Sequence, residues 1–142
     1  MTTLELARAF AESGIKPRNK IRLAFWAAEE IGLVGSRYYV NQLALHDPEE
    51  LSRIKLSLDN DMLASPNYIR GVYDGSTVQD PHLRVGCTSI QNLFKNYFGQ
   101  FGWPTAPGVF DGRSDYVAFM DHGIPSGGLF TGKFFARDYM IY

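Results

Sequence analysis

The hydrophobic pattern divides the chain into stretches of helical period, stretches that alternate, and one that does neither. Residues 3–13 place Leu4, Ala7, Phe10 and Ala11 on one helical face, with Gly14 as the stop. Residues 21–28 are almost continuously apolar, broken only by Arg22. A run of that length predicts a strand buried on both faces, as in a parallel sheet. It ends on two adjacent carboxylates, Glu29 and Glu30, and Gly32, Gly35 and Ser36 then open a helix that reaches Leu45. Asp47 and Pro48 predict a short helical turn, Asp47 as N-cap and Pro48 at the first helical position. Ile54, Leu56 and Leu58 alternate with Lys55, Ser57 and Asp59, which predicts a half-buried strand over residues 54–62.

Beyond it, residues 68–73 read as a short strand and Asp74, Gly75 and Ser76 as a turn. A polar loop through Pro81 and His82 leads to a predicted helix over residues 88–102, with Ile90, Leu93, Phe94, Tyr97 and Phe98 as its core stripe. Residues 103–108 read as a Pro- and Gly-rich loop. Ser114 suits an N-cap and Asp115 a first helical turn. The pattern predicts an α/β fold in three layers, a mostly parallel sheet with helices on both faces. Residues 21–28, being the least polar, are expected at its centre. In such sheets ligands bind at the carboxyl edge of the strands, which is where Glu29 and Glu30 are expected. Burying two acids side by side is costly unless positive charge meets them. The ordinary account of such a pair is the first turn of a helix; a metal ion is the alternative.

Composition narrows the function classes. The chain has 142 residues, 45% hydrophobic and 20% charged, with a net charge of -1. That is enough for one domain with a core. It offers no basic excess for nucleic acid and no apolar run long enough for a membrane. The single Cys87 rules out an internal disulfide and reads as a small buried residue. His46 and His82 read as surface residues.

The stretch Phe25-Trp26-Ala27-Ala28-Glu29-Glu30-Ile31-Gly32-Leu33-Val34-Gly35-Ser36 resembles the central motif of the M28 family of zinc aminopeptidases, which are co-catalytic di-zinc exopeptidases. Further blocks follow in the family's order: Asn60-Asp61-Met62, Val72-Tyr73-Asp74-Gly75, Phe110-Asp111-Gly112-Arg113-Ser114-Asp115-Tyr116, and Ile124-Pro125-Ser126-Gly127-Gly128-Leu129-Phe130-Thr131-Gly132. The resemblance covers residues 3–132, a partial M28-like peptidase domain. Residues 133–142 depart from the pattern and read as a divergent or truncated tail.

The resemblance implies a role for each matching residue. Glu29 matches the catalytic base and Glu30 a zinc ligand. Asp61 matches a second ligand. The family more often has Asn and Phe before that Asp; here Asp59 and Asn60 stand there, so a second carboxylate lies two residues away. Arg113 matches a substrate-binding position, with a structural salt bridge as the alternative. Phe130 matches a residue lining the pocket for the first side chain, with plain core packing as the alternative. The cofactor implied is zinc, two ions in the complete family site. The family's bridging Asp and two His ligands have no match here, and His122 precedes the position of the last one. Weak or absent zinc binding is therefore expected of this chain. The substrates implied are peptides with a free N-terminus, and neither nucleic acid nor membrane is an expected partner. Oligomeric state and compartment are not legible, although the family is secreted or vacuolar. The competing readings are a non-catalytic remnant able at most to bind peptides, and an unrelated α/β binding domain.

Overall fold

A computed structural model describes residues 2–66 and 68–132. The predicted tail, residues 133–142, lies outside the described residues. In chain order come helices α1 (Thr2–Ser13), α2 (Val34–His46) and α3 (Pro48–Arg53), then strands β1 (Ser57–Asp61) and β2 (Gly71–Tyr73). A 3-10 turn (Gly75–Thr77), α4 (Pro81–Gly99), β3 (Ala106–Gly108), α5 (Tyr116–Met120) and β4 (Ser126–Phe130) complete the order. No described helix is long and apolar enough to cross a membrane.

The four strands form one sheet in the order β1-β4-β2-β3. β1 runs parallel to β4 and β2 parallel to β3, while β2 and β4 are antiparallel. Side chains on a strand alternate between faces, so Gly127 and Phe130 of β4 point to opposite sides. Gly127 lies against Ile90 of α4, and Phe130 clusters with Tyr73 and with Tyr116 of α5. Helices thus cover both faces, and the α/β class with a mostly parallel sheet is what the pattern predicted. Val40 of α2 packs with Ala118, Phe119 and Ile124, and Trp26, Tyr39, Leu51 and Ile54 border that cluster.

The predicted central strand is corrected. Residues 21–28 form no strand, and Ile21 and Phe25 are exposed. A run of apolar residues encodes a preference for burial but not a pairing partner, and a strand needs neighbours for its backbone hydrogen bonds. No described strand pairs with this run; side chains hold most of it, and the carbonyls of Ala27 and Ala28 accept from the start of α2. Lys20 and Arg22 both reach Glu50 of α3, at 2.9 and 2.5 Å, and Trp26 packs on Tyr39 at 5.2 Å. Likewise α1 forms as predicted, yet it contains no buried residue.

Three smaller differences each have a local cause. β1 buries the opposite set from that expected: Leu56 and Leu58 are exposed while Asp59 is half-buried. β1 lies at the sheet's edge, where no described element covers its Leu face. α4 starts at Pro81 rather than at residue 88, because Asp80 accepts a hydrogen bond from the His82 N–H at 2.8 Å and Pro81 fits the first turn. This is the same Asp-Pro signal that starts α3, where Asp47 accepts from the Glu50 N–H. The buried stripe of α4 is accordingly Leu83, Cys87, Ile90 and Gln91, with Leu93 and Tyr97 exposed. The predicted loop at 103–108 contributes β3, an edge strand that tolerates Pro107.

Candidate functional site

Glu29 and Glu30 lie in a tight turn leading into α2. The Gly32 and Leu33 N–H groups donate to the Glu29 carbonyl at 3.0 and 2.9 Å, Val34 donates to Ala28, and Gly35 to Ala27. A Cβ at Gly35 would stand 2.6 Å from the Ala27 carbonyl oxygen, so this close approach requires glycine. Ala28 and Leu33, on either side of the pair, have φ of 59° and 58°. Left-handed backbone at a non-glycine residue costs about 1–3 kcal/mol and persists only where its surroundings enforce it. Glu29 is half-buried and Glu30 exposed. Neither belongs to the first turn of α2, which holds no acidic residue, so the helix-dipole account of the pair does not apply.

The second carboxylate group is at the end of β1. Asp59 and Asp61, two residues apart, share a face of the strand. The chain leaves through Met62 and Ala64, with φ of 49° and 64°, a second strained turn beside candidate side chains. Asp59 Oδ2 is buried with no hydrogen-bond partner. Burial is the main cause that pushes the Asp59 carboxyl up to about 6, and the negative charges of Asp61 and Asp115 add to it. Hydrogen bonding from the Ser114 side chain and the Tyr116 backbone pulls the other way. Asp115 is also buried and also raised, first by burial and then by Asp61, while the Ser36 hydroxyl lowers it. Ser36 Oγ donates to Asp115 Oδ1 at 2.5 Å, across 79 positions of sequence. The Tyr73 phenol, raised chiefly by burial and then by Asp59, faces the same charges.

Asp59, Asp61 and Asp115 therefore form one electrostatic group, joined through Ser36 to the first turn of α2. The sequence pointed to Asp61 and marked Asp59 as its neighbour; it missed Ser36 and Asp115 as partners. The sequence places Ser114 at the cap and Asp115 in the first helical turn. In the fold Asp115 occupies the cap position of α5 but makes no side-chain bond to that helix, its carboxylate being turned to Ser36. The detectable signal was only that both lie inside the quoted motifs.

Arg113 is exposed, and its N–H donates to Asp111 Oδ1 at 3.2 Å. That loop is pinned by the Gly112 N–H, which donates to the Tyr116 hydroxyl at 2.7 Å; burial raises the Tyr116 phenol to about 12. Phe130 is 1% exposed, with its ring 5.3 Å from that of Tyr73. His46, His82 and His122 are all exposed. Cys87 is fully buried, its Sγ accepting from the Ser126 N–H at 3.4 Å.

Among the described residues no group of three or more His, Cys, Asp or Glu is arranged to hold a metal ion. A zinc site takes three or four protein ligands, usually including His or Cys. The buried carboxylates supply charge and one unpartnered oxygen, but the residues present do not by themselves fit a zinc centre.

Comparison with known proteins extends these observations. The family model described as Peptidase family M28 matches residues 1–140. The probable leucine aminopeptidase 2 of Aspergillus oryzae (strain ATCC 42149 / RIB 40) is 45% identical over 133 residues, 93% of this chain and 26% of that protein. Leucine aminopeptidase 2 of Trichophyton rubrum is 44% identical over 125 residues, 87% of this chain and 25% of that protein. The chain thus spans about a quarter of the length of these relatives. Among solved structures, a zinc aminopeptidase from Bacillus subtilis matches 98% of this chain and 32% of its own, with a TM-score of 0.70 at 23% identity. An aminopeptidase from Aneurinibacillus sp. strain AM-1 matches 90% of this chain and 28% of its own, with a TM-score of 0.64 at 26% identity.

Proposed function

The chain belongs to peptidase family M28, and from that membership we propose that the complete protein is a zinc-dependent aminopeptidase of which this chain supplies the middle of the catalytic domain. Its substrates would be peptides with a free N-terminus. In this reading residues 1–132 form part of the peptidase domain and residues 133–142 a divergent tail, although the family match continues to residue 140.

Glu29, held half-buried in its hydrogen-bonded turn, takes the proton from the attacking water and returns it to the leaving amine. Glu30 and Asp61 would supply two of the metal ligands in the complete protein, the remaining ones coming from outside this chain. The chemistry zinc supplies when bound is a water of lowered pKa, from about 15.7 to about 7. Arg113 binds a carbonyl or carboxylate of the substrate. Phe130, 1% exposed and packed with Tyr73 and Tyr116, backs the apolar pocket for the first side chain from within the core.

The observation that supports this reading most is the Ser36–Asp115 hydrogen bond. It ties the helix that follows the Glu29–Glu30 turn to a carboxylate within the electrostatic reach of Asp61. A second reading, a peptide-binding remnant without catalysis, is favoured by the absence of a metal-holding group among the described residues.

The test is made in a longer protein that contains this chain and family-like ligands on both sides. Glu29→Gln should lower kcat on leucine p-nitroanilide by about 10²–10⁴ with zinc content unchanged, and Asp61→Ala should lose zinc. Full activity in Glu29→Gln would overturn the assignment of the base. A longer protein that binds peptide but neither zinc nor turns over would establish the second reading.

A further inference from the structure

Outside the carboxylate group, the structure exposes a run of aromatic rings at the end of α4 and beside β2. Tyr97 packs on Phe101 with ring centroids 5.3 Å apart, and Phe101 stacks on Trp103 at 4.8 Å and 28°. The Arg70 guanidinium lies 4.8 Å from the Trp103 ring centroid and 5.5 Å from that of Tyr68. The Ala106 N–H donates to the Arg70 carbonyl at 2.9 Å, which anchors this residue beside β3. The rings are not core: Tyr68, Tyr97, Phe101 and Trp103 are 56%, 54%, 52% and 44% exposed.

Isolated exposed rings need no explanation, but contiguous ones mark contact surfaces. Trp, Tyr and Arg are the residues that carry most binding energy at protein interfaces. The charge of the patch is also one-sided. Arg70 is half-buried between two rings; among the described residues it pairs with no carboxylate, and its guanidinium donates to the Tyr68 hydroxyl at 3.5 Å. From Pro81 to Phe110 the chain contains no Asp or Glu, yet it carries Arg84 and Lys95. Covering Arg70 with a purely apolar partner would bury an unpaired charge, which is strongly unfavourable. The occupant must bring an anion.

We propose that the surface formed by Tyr68, Arg70, Tyr97, Phe101 and Trp103 docks a polypeptide segment in which a carboxylate is flanked by apolar side chains. The carboxylate pairs with Arg70 in a bidentate contact, and the apolar neighbours cover Phe101 and Trp103. A lipid surface fits less well, because attraction to anionic membranes is built from clusters of about four to eight Lys or Arg, and this patch centres on one recessed guanidinium. Nothing in the proposal depends on catalysis.

The experiment is a selection of displayed random dodecapeptides against the 142-residue chain, followed by titration of the enriched peptides in solution. The expected result is enrichment of sequences joining Asp or Glu to aromatic or aliphatic residues. Their affinity should fall tenfold or more in Arg70→Gln and in Trp103→Ala, and less in Arg70→Lys, which keeps the charge but not the planar fork. Circular dichroism checks that each variant is folded; should Trp103→Ala not fold, Arg70→Gln and Arg70→Lys decide. Enriched peptides without carboxylates, equal binding to Arg70→Gln, or no enrichment, with or without binding to phosphatidylserine vesicles, would each overturn the proposal.

Discussion

Ser36 Oγ donates to Asp115 Oδ1 at 2.5 Å, and both side chains are buried. The pair joins the first turn of α2 to the cap position of α5. Ser36 also lies 3.2 Å from the Leu33 carbonyl, but a hydroxyl has one proton and the carboxylate is the nearer acceptor.

Removing the hydroxyl leaves a buried carboxylate without its donor. Ser36→Ala should destabilise the fold by about 1–3 kcal/mol at pH 8. Asp115 is raised by burial, so its protonated form is the one the fold favours. Stability from this group is full at pH below the unfolded pKa and is lost as pH rises through the folded one. The Ser36→Ala penalty should therefore shrink at pH 4. Urea denaturation at both pH values reads this, and equal penalties would show that the hydroxyl serves packing alone.

Asp59 gives a separate pH dependence. Its carboxyl titrates at about 6 in the fold against an ordinary 3.8, chiefly from burial. The folded state thus keeps a proton that the unfolded chain releases, and stability falls as pH rises from about 4 through about 6. Asp59→Asn has no proton to lose. It should flatten that fall and gain up to about 3 kcal/mol at pH 8. Parallel stability curves for the two proteins between pH 4 and 8 would contradict this.

Phe130 separates packing from substrate contact. Its ring fills the space over Gly71 and Gly108, where an added Cβ would lie 2.2 and 2.3 Å from ring carbons. Phe130→Ala should cost about 3–5 kcal/mol, and Gly71→Ala about 1–3 kcal/mol from overpacking. Thermal unfolding measures both. If Phe130→Ala in the longer protein instead changed KM with stability intact, the ring would belong to the pocket and not to the core.

The 142-residue chain should not hydrolyse leucine p-nitroanilide with zinc added, and equilibrium dialysis should find no zinc retained at micromolar concentration. The ground is the lack of a metal-holding group among the described residues. Chelator-sensitive turnover by the purified chain would refute it and point to ligands contributed by a second copy.

Local chemistry was legible wherever a few neighbouring residues decide the outcome. The helix of residues 3–13 formed as α1, Asp47 capped α3, and the buried Cys87 was read from the chain alone, because capping and helical period depend on contacts within a turn or two. The motif blocks carried the family and the α/β class, since they record residue types in order. Asp80 and Pro81 carry the same local cap signal, so the start of α4 is also written in the sequence.

Other features depended on contacts far apart in the sequence. The apolar run at residues 21–28 states that burial is favoured, but only a neighbouring strand can turn it into a strand, and none of the described strands pairs with it. The alternation of β1 states that one face differs from the other; its place at the sheet edge decided that Asp59, not Leu58, turned inward. The link between Ser36 and Asp115 spans 79 positions, and no local period reports such a distance. Tertiary structure alone decided which carboxylates share a low-dielectric space, because burial and mutual charge arise only when separate elements are packed together.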